Sequence, residues 1–256
     1  TVDTNQMLYI PYAGTPLKSR DRCWWRVYTT VTYGKNNRKK SLESDVQHFE
    51  ISLLSPDDWK AHWIGRDYTD DQLEGHTAIA ARYLRKEFPL RKDIESARLY
   101  ISGLGSYKAY INGQEVAPYE WFKPALSDYT QRIYFNAYDV TDLLYISGGP
   151  TGYKTADGAA VMNAIGVVLA PGRFTTPRHD TRYLEWCGIL HAAHYGMPQL
   201  LLQLEVTYKD GTTDTVVSDG SWMITDQGPI RKANEFDGET YDENLNLALG
   251  SWLHPD

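Results

Sequence analysis

The sequence predicts an all-β protein, a jelly-roll or β-sandwich domain preceded by a partial β-sandwich. Three observations carry this. Strand-like alternation recurs along most of the 256 residues. Turn signals such as Asn112-Gly113 and Asp210-Gly211 separate the alternating runs. Helical periodicity of any length is nearly absent. The aromatic content, 13% with 19 Tyr and 8 Trp, agrees, because aromatic side chains pack well on a pleated, half-buried surface.

Along the chain, Cys23 to Tyr33 (CWWRVYTTVTY) alternates and is rich in aromatic and β-branched residues, Gly34-Lys35-Asn36-Asn37 makes a turn, and Val46 to Leu54 reads as another strand. Two or three strands cannot bury both faces of a sheet, so residues 1–54 read as part of a sandwich. Residues 55–76 read as a junction, pinned by Trp59 and Trp63. Residues 77–256 form the main sandwich. Within it, Leu99 and Ile101 alternate with Arg98 and Tyr100, a Gly-Leu-Gly break follows, and Tyr107, Ala109 and Ile111 lead into the Asn112-Gly113 turn. Both residues of that pair tolerate positive φ, which a tight hairpin needs. Leu200, Leu202, Leu204 and Val206 point inward before Asp210-Gly211, and Asn163–Leu169 reads as a fully buried strand. Ser127–Arg132 and Asp142–Tyr145 each suit one or two helical turns. Residues 146–162 and 171–198 lack a strand pattern and read as long functional or variable loops.

A 42% hydrophobic and 23% charged composition can build a core. The net charge of −7, with no basic stripe, argues against nucleic acid or an anionic membrane as partner. No run approaches the ~18 apolar residues of a membrane span. Cys23 and Cys187 could pair, but two packed free thiols fit better, and they say little about compartment. Nothing after Thr1 has a signal-peptide pattern, so a targeting peptide was removed or never existed.

The common catalytic motifs are missing: there is no GxSxG, P-loop, HExxH or zinc-type cysteine pair. His191 and His194 could share a face and hold a metal, but loop packing or a ligand contact suits them better. Asp237, Glu239 and Asp242 are the densest acidic cluster. Glycosidase carboxylates flank the scissile bond, whereas these would stand on one wall. A Ca²⁺ site or structural hydrogen bonding fits them instead. Tyr119, Trp121, Phe122, Tyr183 and Trp186, with His191 beside them, are candidate sugar contacts, since exposed aromatic rings stack on the C–H face of a sugar. The other reading is that these rings cover an inter-domain seam.

The runs ARLYISGLGSYKAYINGQEV (97–116), LSDYTQRIYFNAYDVTDLL (126–144) and NAIGVVLAPGRF (163–174) resemble the amino-terminal module of bacterial α-L-rhamnosidases. DGTTDTVVSDGSW (210–222), GPI (228–230) and DGETYDEN (237–244) follow in the same order. Residues 1–54, with a WRV strand and an FE-x-x-LL exit, resemble the latter half of a fibronectin-III-like domain. The resemblance implies a parent enzyme, periplasmic or extracellular rather than cytoplasmic, that removes terminal L-rhamnose with inversion. It would do so with carboxylates in an (α/α)6 barrel that lies outside these 256 residues. No catalytic residue carries over, and the chain itself is expected to be inactive. It is expected to pack against and shape that barrel. The alternative is a carbohydrate-binding module for L-rhamnose on rhamnosylated glycans, with Ca²⁺. Three features depart from the family pattern: Glu243-Asn244 stands where YDAR ends, the loop after YDVT is longer, and Gly172-Arg173-Phe174 replaces a G-W-Y element.

Overall fold

The computed structural model describes residues 2–6, 8–66, 79–90, 93–146, 161–175, 195–234, 238–249, 252 and 254. The chain divides into two compact units, Thr1–Trp59 and Lys60–Asp256.

The first unit holds four strands in two antiparallel pairs. β1 (Arg22–Trp25) pairs with β4 (Gln47–Glu50), and β2 (Tyr28–Tyr33) pairs with β3 (Arg38–Glu43). Gly34 and Asn37, at φ +74° and +50°, make the β2–β3 turn. Such small sheets hide little apolar surface. Among the described residues of this unit, Leu53 is the one buried hydrophobic side chain, while Trp24, Trp25, Tyr28, Val31, Leu42 and Phe49 stay exposed. Cys23 is a free thiol on β1; Cys187 lies outside the described residues. The unit ends on a 3-10 turn, Pro56–Asp58, capped by Ser55. Asp58 accepts hydrogen bonds from Ser19 Oγ at 2.6 Å and Arg20 Nη1 at 2.8 Å. Together with the Ser55 N–H, these hold its carboxyl down at about 2.

The second unit is a two-sheet sandwich. Its strands are β5 (Ile64–Gly65), β6 (Arg82–Leu90), β7 (Ile94–Leu104), β8 (Ser106–Ile111), β9 (Gln114–Glu115), β10 (Asn136–Asp139), β11 (Val161–Ala170), β12 (Gln199–Tyr208), β13 (Thr213–Val217) and β14 (Met223–Thr225). One sheet runs β10-β7-β12-β13, with β5 against the start of β12; the other runs β14-β6-β11-β8-β9. Every pairing is antiparallel. Leu99 and Ile101 of β7 and Leu200, Leu202, Leu204 and Val206 of β12 come from the first sheet. They share a core with Leu84, Phe88, Tyr107, Ala109, Ile111, Ile165, Val167 and Leu169 of the second. Burying a Leu or Ile contributes about 1.5–3 kcal/mol each, so this layer is the main source of stability.

The alternation read from β12 and the buried β11 both appear, as do the Asn112-Gly113 turn (φ +49° and +81°) and the Asp210-Gly211 turn. At the first turn Asn112 Nδ2 donates to Asn163 Oδ1 at 2.8 Å and to the Leu143 carbonyl at 2.9 Å, while its Oδ1 accepts from Ala164 N at 2.9 Å. Asn163 Nδ2 donates to the Tyr145 and Val161 carbonyls. The two buried amides thus satisfy each other and the ends of three segments, as burial of polar groups demands.

The Gly-Leu-Gly break is more than a bend. β7 lies in one sheet and β8 in the other, so the chain changes layer at Gly105. Its φ is +135°, and a Cβ there would sit 2.2 Å from the Ala170 carbonyl oxygen. Near the C-terminus, β15 (Ile230–Asn234) and β16 (Gly238–Tyr241) form a hairpin, followed by α1 (Glu243–Leu249). This seven-residue helix is too short to show periodicity, and the sequence reading missed it. Thr141–Leu143 is a single 3-10 turn, and Trp63 is exposed.

Asp219 ties the start of the β14 turn to β6. It accepts from Ser221 Oγ at 2.5 Å, from Ser221 N at 2.9 Å and from Lys86 Nζ at 3.1 Å. The Ser221 bonds first, and Lys86 after them, lower its pKa from 3.8 to about 2. A depressed carboxylate stabilises the fold above its ordinary pKa and loses that contribution as pH falls through the folded value. The thermal midpoint of the wild-type sandwich is therefore expected to fall as pH drops from 3.8 to about 2. Asp219→Asn should have a lower midpoint at neutral pH and a flatter profile in that window. Parallel wild-type and variant profiles would exclude this contact as a contributor.

Candidate functional site

Two long excursions of the second unit carry the candidate residues. The first joins β9 to β10, and its local structure is set by a buried lysine. Lys123 is 3% exposed, and its Nζ donates to the Val116 carbonyl at 3.0 Å, the Ala117 carbonyl at 2.9 Å and Glu115 Oε1 at 3.2 Å. Its own carbonyl accepts from Tyr107 N at 2.8 Å, fixing the loop to the first residues of β8. Ala117 takes φ +51°, a left-handed conformation uncommon away from glycine, and Glu120 N donates back to its carbonyl. Tyr138 on β10 donates its hydroxyl to Glu120 Oε2 at 2.6 Å. Burial, and then that carboxylate, push the Tyr138 phenol upward, so it stays a neutral donor. Beneath it, Tyr107 donates to Asn136 Oδ1 at 2.9 Å, its phenol likewise raised by burial.

This scaffold presents three aromatic rings to solvent. Tyr119 and Trp121 are each 91% exposed and Phe122 is 75% exposed; Leu126 and Tyr134, on the same excursion, are also exposed. A loop fixed by charge-assisted hydrogen bonds to a buried ammonium holds its shape. The rings therefore project as a pre-formed knob. No signal in the sequence marks Lys123, because a loop lysine is ordinarily solvated.

The second excursion leaves β11 and returns to β12. Its root is an aromatic cluster that sequence reading did not find. Tyr129, from the first excursion, meets Phe174 edge-on at 5.1 Å and Tyr195 at 5.2 Å, while Phe174 and Tyr195 stack at 5.8 Å. Tyr195 N donates to the Phe174 carbonyl, and Thr175 Oγ1 donates to the Gly196 carbonyl. The two ends of the second loop are thereby held together beside Tyr129. Tyr183, Trp186, His191 and His194 fall within 176–194, outside the described residues.

Of the acidic cluster, Asp237 also lies outside the described residues. Glu239 is exposed on β16. Asp242 accepts from Asn244 N at 3.0 Å and Asn244 Nδ2 at 3.1 Å, capping the start of α1, while its own N–H donates to the Pro229 carbonyl. Among the described residues no group of three His, Cys, Asp or Glu side chains could hold a metal ion. No described helix is long and apolar enough to cross a membrane.

The α-L-rhamnosidase N-terminal domain family matches residues 92–255, and the Rha78A-like N-terminal immunoglobulin domain family matches residues 1–55. Immunoglobulin and fibronectin-III domains share a two-sheet sandwich architecture, so the second match agrees with the fold class read from residues 1–54. An α-L-rhamnosidase of Formosa agariphila is 38% identical over 247 residues, covering 95% of this chain and 24% of the relative. One from Alteromonas sp. (strain LOR) is 34% identical over 257 residues, covering all of this chain and 25% of the relative. The crystal structure of native α-L-rhamnosidase from Aspergillus terreus superposes with a TM-score of 0.76 at 30% identity, covering 99% of this chain and 26% of that one. The chain thus spans about a quarter of the length of the relatives it matches. With one family covering most of the sandwich and another covering the first unit, the chain belongs to the α-L-rhamnosidases, as their amino-terminal region.

Proposed function

We propose that this chain is a non-catalytic accessory region of a longer α-L-rhamnosidase that acts on terminal α-L-rhamnosides. In this reading residues 1–54 are a partial sandwich domain, 55–76 a junction, and 77–256 a jelly-roll module that packs against and shapes an (α/α)6 catalytic domain. The observation that carries it is the knob of Tyr119, Trp121 and Phe122, exposed to solvent on a loop whose start, at Val116 and Ala117, is tied to buried Lys123. Aromatic anchors of this kind dominate protein–protein contacts when they fill a pocket on the partner. Small sugars bind in concave sites lined on several sides, whereas these rings project. That only a quarter of each relative is matched supports a further, larger partner domain in the same polypeptide.

The test is a parent enzyme in which Tyr119, Trp121 and Phe122 are all serine. The rings are solvent-exposed here, so this region should fold unchanged by circular dichroism. The catalytic domain should lose thermal midpoint and kcat/KM, with a buried anchor worth about 2 kcal/mol. Unchanged midpoint and activity would rule the docking role out. The second reading, a carbohydrate-binding module, is favoured by the same rings. It takes the place of the first if L-rhamnose, with or without Ca²⁺, alters the tryptophan fluorescence of the isolated chain and the serine variant abolishes that response.

A further inference from the structure

The outer face of the β14-β6-β11-β8-β9 sheet carries a segment of its own chain. Leu84 of β6 lies in the core, which turns its neighbours Tyr83 and Arg85 to the opposite face. Both are nonetheless buried. Arg85 Nε donates to the Trp252 carbonyl at 2.7 Å and Arg85 Nη2 donates to the His254 carbonyl at 2.7 Å. Glu87, two residues along the same face, ion-pairs with Arg85 and holds the guanidinium in place. The Tyr83 ring meets the Trp252 ring edge-on at 5.3 Å. From a different part of the sheet, the Asn112-Gly113 turn supports His254: a Cβ on Gly113 would stand 2.2 Å from His254 Cε1. Opposite Arg85 in the register, β11 has Gly166, whose lack of a side chain leaves this face low.

Three features on two elements therefore converge on Trp252 and His254: a guanidinium fork and an aromatic edge from β6, and a bare glycine turn after β8. The fork reads backbone oxygens two residues apart. Two parallel N–H donors in a rigid plane suit that task, and a lysine ammonium cannot duplicate it. We infer that Trp252 and His254 belong to a strap locked to the sheet by Arg85, and that Arg85 is a positioning residue fixing where this part of the chain lies on the sandwich. The strap stands on these contacts alone. Its consequence, that Arg85 sets the orientation of a following catalytic domain, rests on the accessory-module reading above.

Limited chymotrypsin digestion of the 256-residue chain tests the strap, because the bond after Trp252 is a cleavage site. At matched thermal stability Arg85→Leu should be cut there at least tenfold faster than wild type, and Arg85→Lys at an intermediate rate. Trp252→Leu remains cleavable but loses the ring contact, and it too should be cut faster. This second variant carries the test even where Arg85→Leu folds poorly. Equal cleavage rates in wild type and both strap variants would overturn the inference. In the parent enzyme, Arg85→Leu should broaden the small-angle scattering profile. An unchanged profile alongside faster cleavage would overturn the orienting role while leaving the docking role of Trp121 untouched, since the serine variant reads that separately.

Discussion

Replacing Lys123 by methionine is expected to destabilise the sandwich unit by about 2–3 kcal/mol, the cost of stranding buried acceptors. Methionine keeps most of the stem volume, so packing changes little. What it removes is the ammonium that serves the Val116 and Ala117 carbonyls and the Glu115 carboxylate. Glu115 still has Lys108 within 3.5 Å and is partly solvated, which moderates the loss. The Ala117 carbonyl keeps the Glu120 N–H, so the loss falls mainly on the Val116 carbonyl. Urea unfolding should show a lower midpoint with an unchanged slope, because the surface exposed on unfolding stays the same. Acrylamide quenching should separate anchoring from mere stability. With the loop released from Lys123, the Tyr119–Phe122 knob becomes heterogeneous, and Trp121 emission should respond accordingly. A midpoint unmoved by the substitution would mean that the lysine is not the anchor.

Gly105→Ala should be strongly destabilising for a single added methyl. Two penalties act together: φ of +135° lies outside the conformations an L-residue favours, and the new Cβ would meet the Ala170 carbonyl at 2.2 Å. The obstacle is backbone in a neighbouring core strand, so it cannot rotate away. We expect a loss of about 4 kcal/mol or more, at the upper end of single-substitution effects, and soluble expression reduced to match. Gly211→Ala is the control. It also has positive φ, +81°, but nothing lies within 4 Å of its added Cβ, so about 1–2 kcal/mol for the left-handed conformation is all that remains. Equal losses at the two sites would show that strain at φ, and not the crossing geometry, governs Gly105.

How much of this could be read from the chain depends on the distance over which each signal acts. Alternation in Leu200–Val206 is local, and the structure puts those four side chains in the core. The Asn112-Gly113 and Asp210-Gly211 turns are two-residue signals with a stereochemical cause, and both form. Gly105 was legible as a break but not as a change of sheet, because nothing local reveals which strands β7 and β8 will join. The Tyr129–Phe174–Tyr195 root was hidden for the same reason: its members are scattered along the sequence and meet only after folding. Among the candidate sugar contacts, the exposure of Tyr119 and Trp121 was anticipated. The buried ammonium holding them was not, since a lysine's burial depends on acceptors that only the folded loop assembles.

The pairing of β7 with β12 has a consequence in time. Leu99 lies opposite Leu204, so β7 must wait for the synthesis of more than a hundred further residues before its central partner exists. At ribosomal rates of about 5–20 residues per second that wait lasts roughly 5–20 s, during which β7 can pair on one side with the short β10 while its other edge stays open. Meanwhile β6, β8 and β11, all encoded earlier than β12, can assemble the opposite layer. The nascent chain can thus build most of one wall first, all but its edge strand β14, and its slowest and most aggregation-prone interval closes only when β12 emerges.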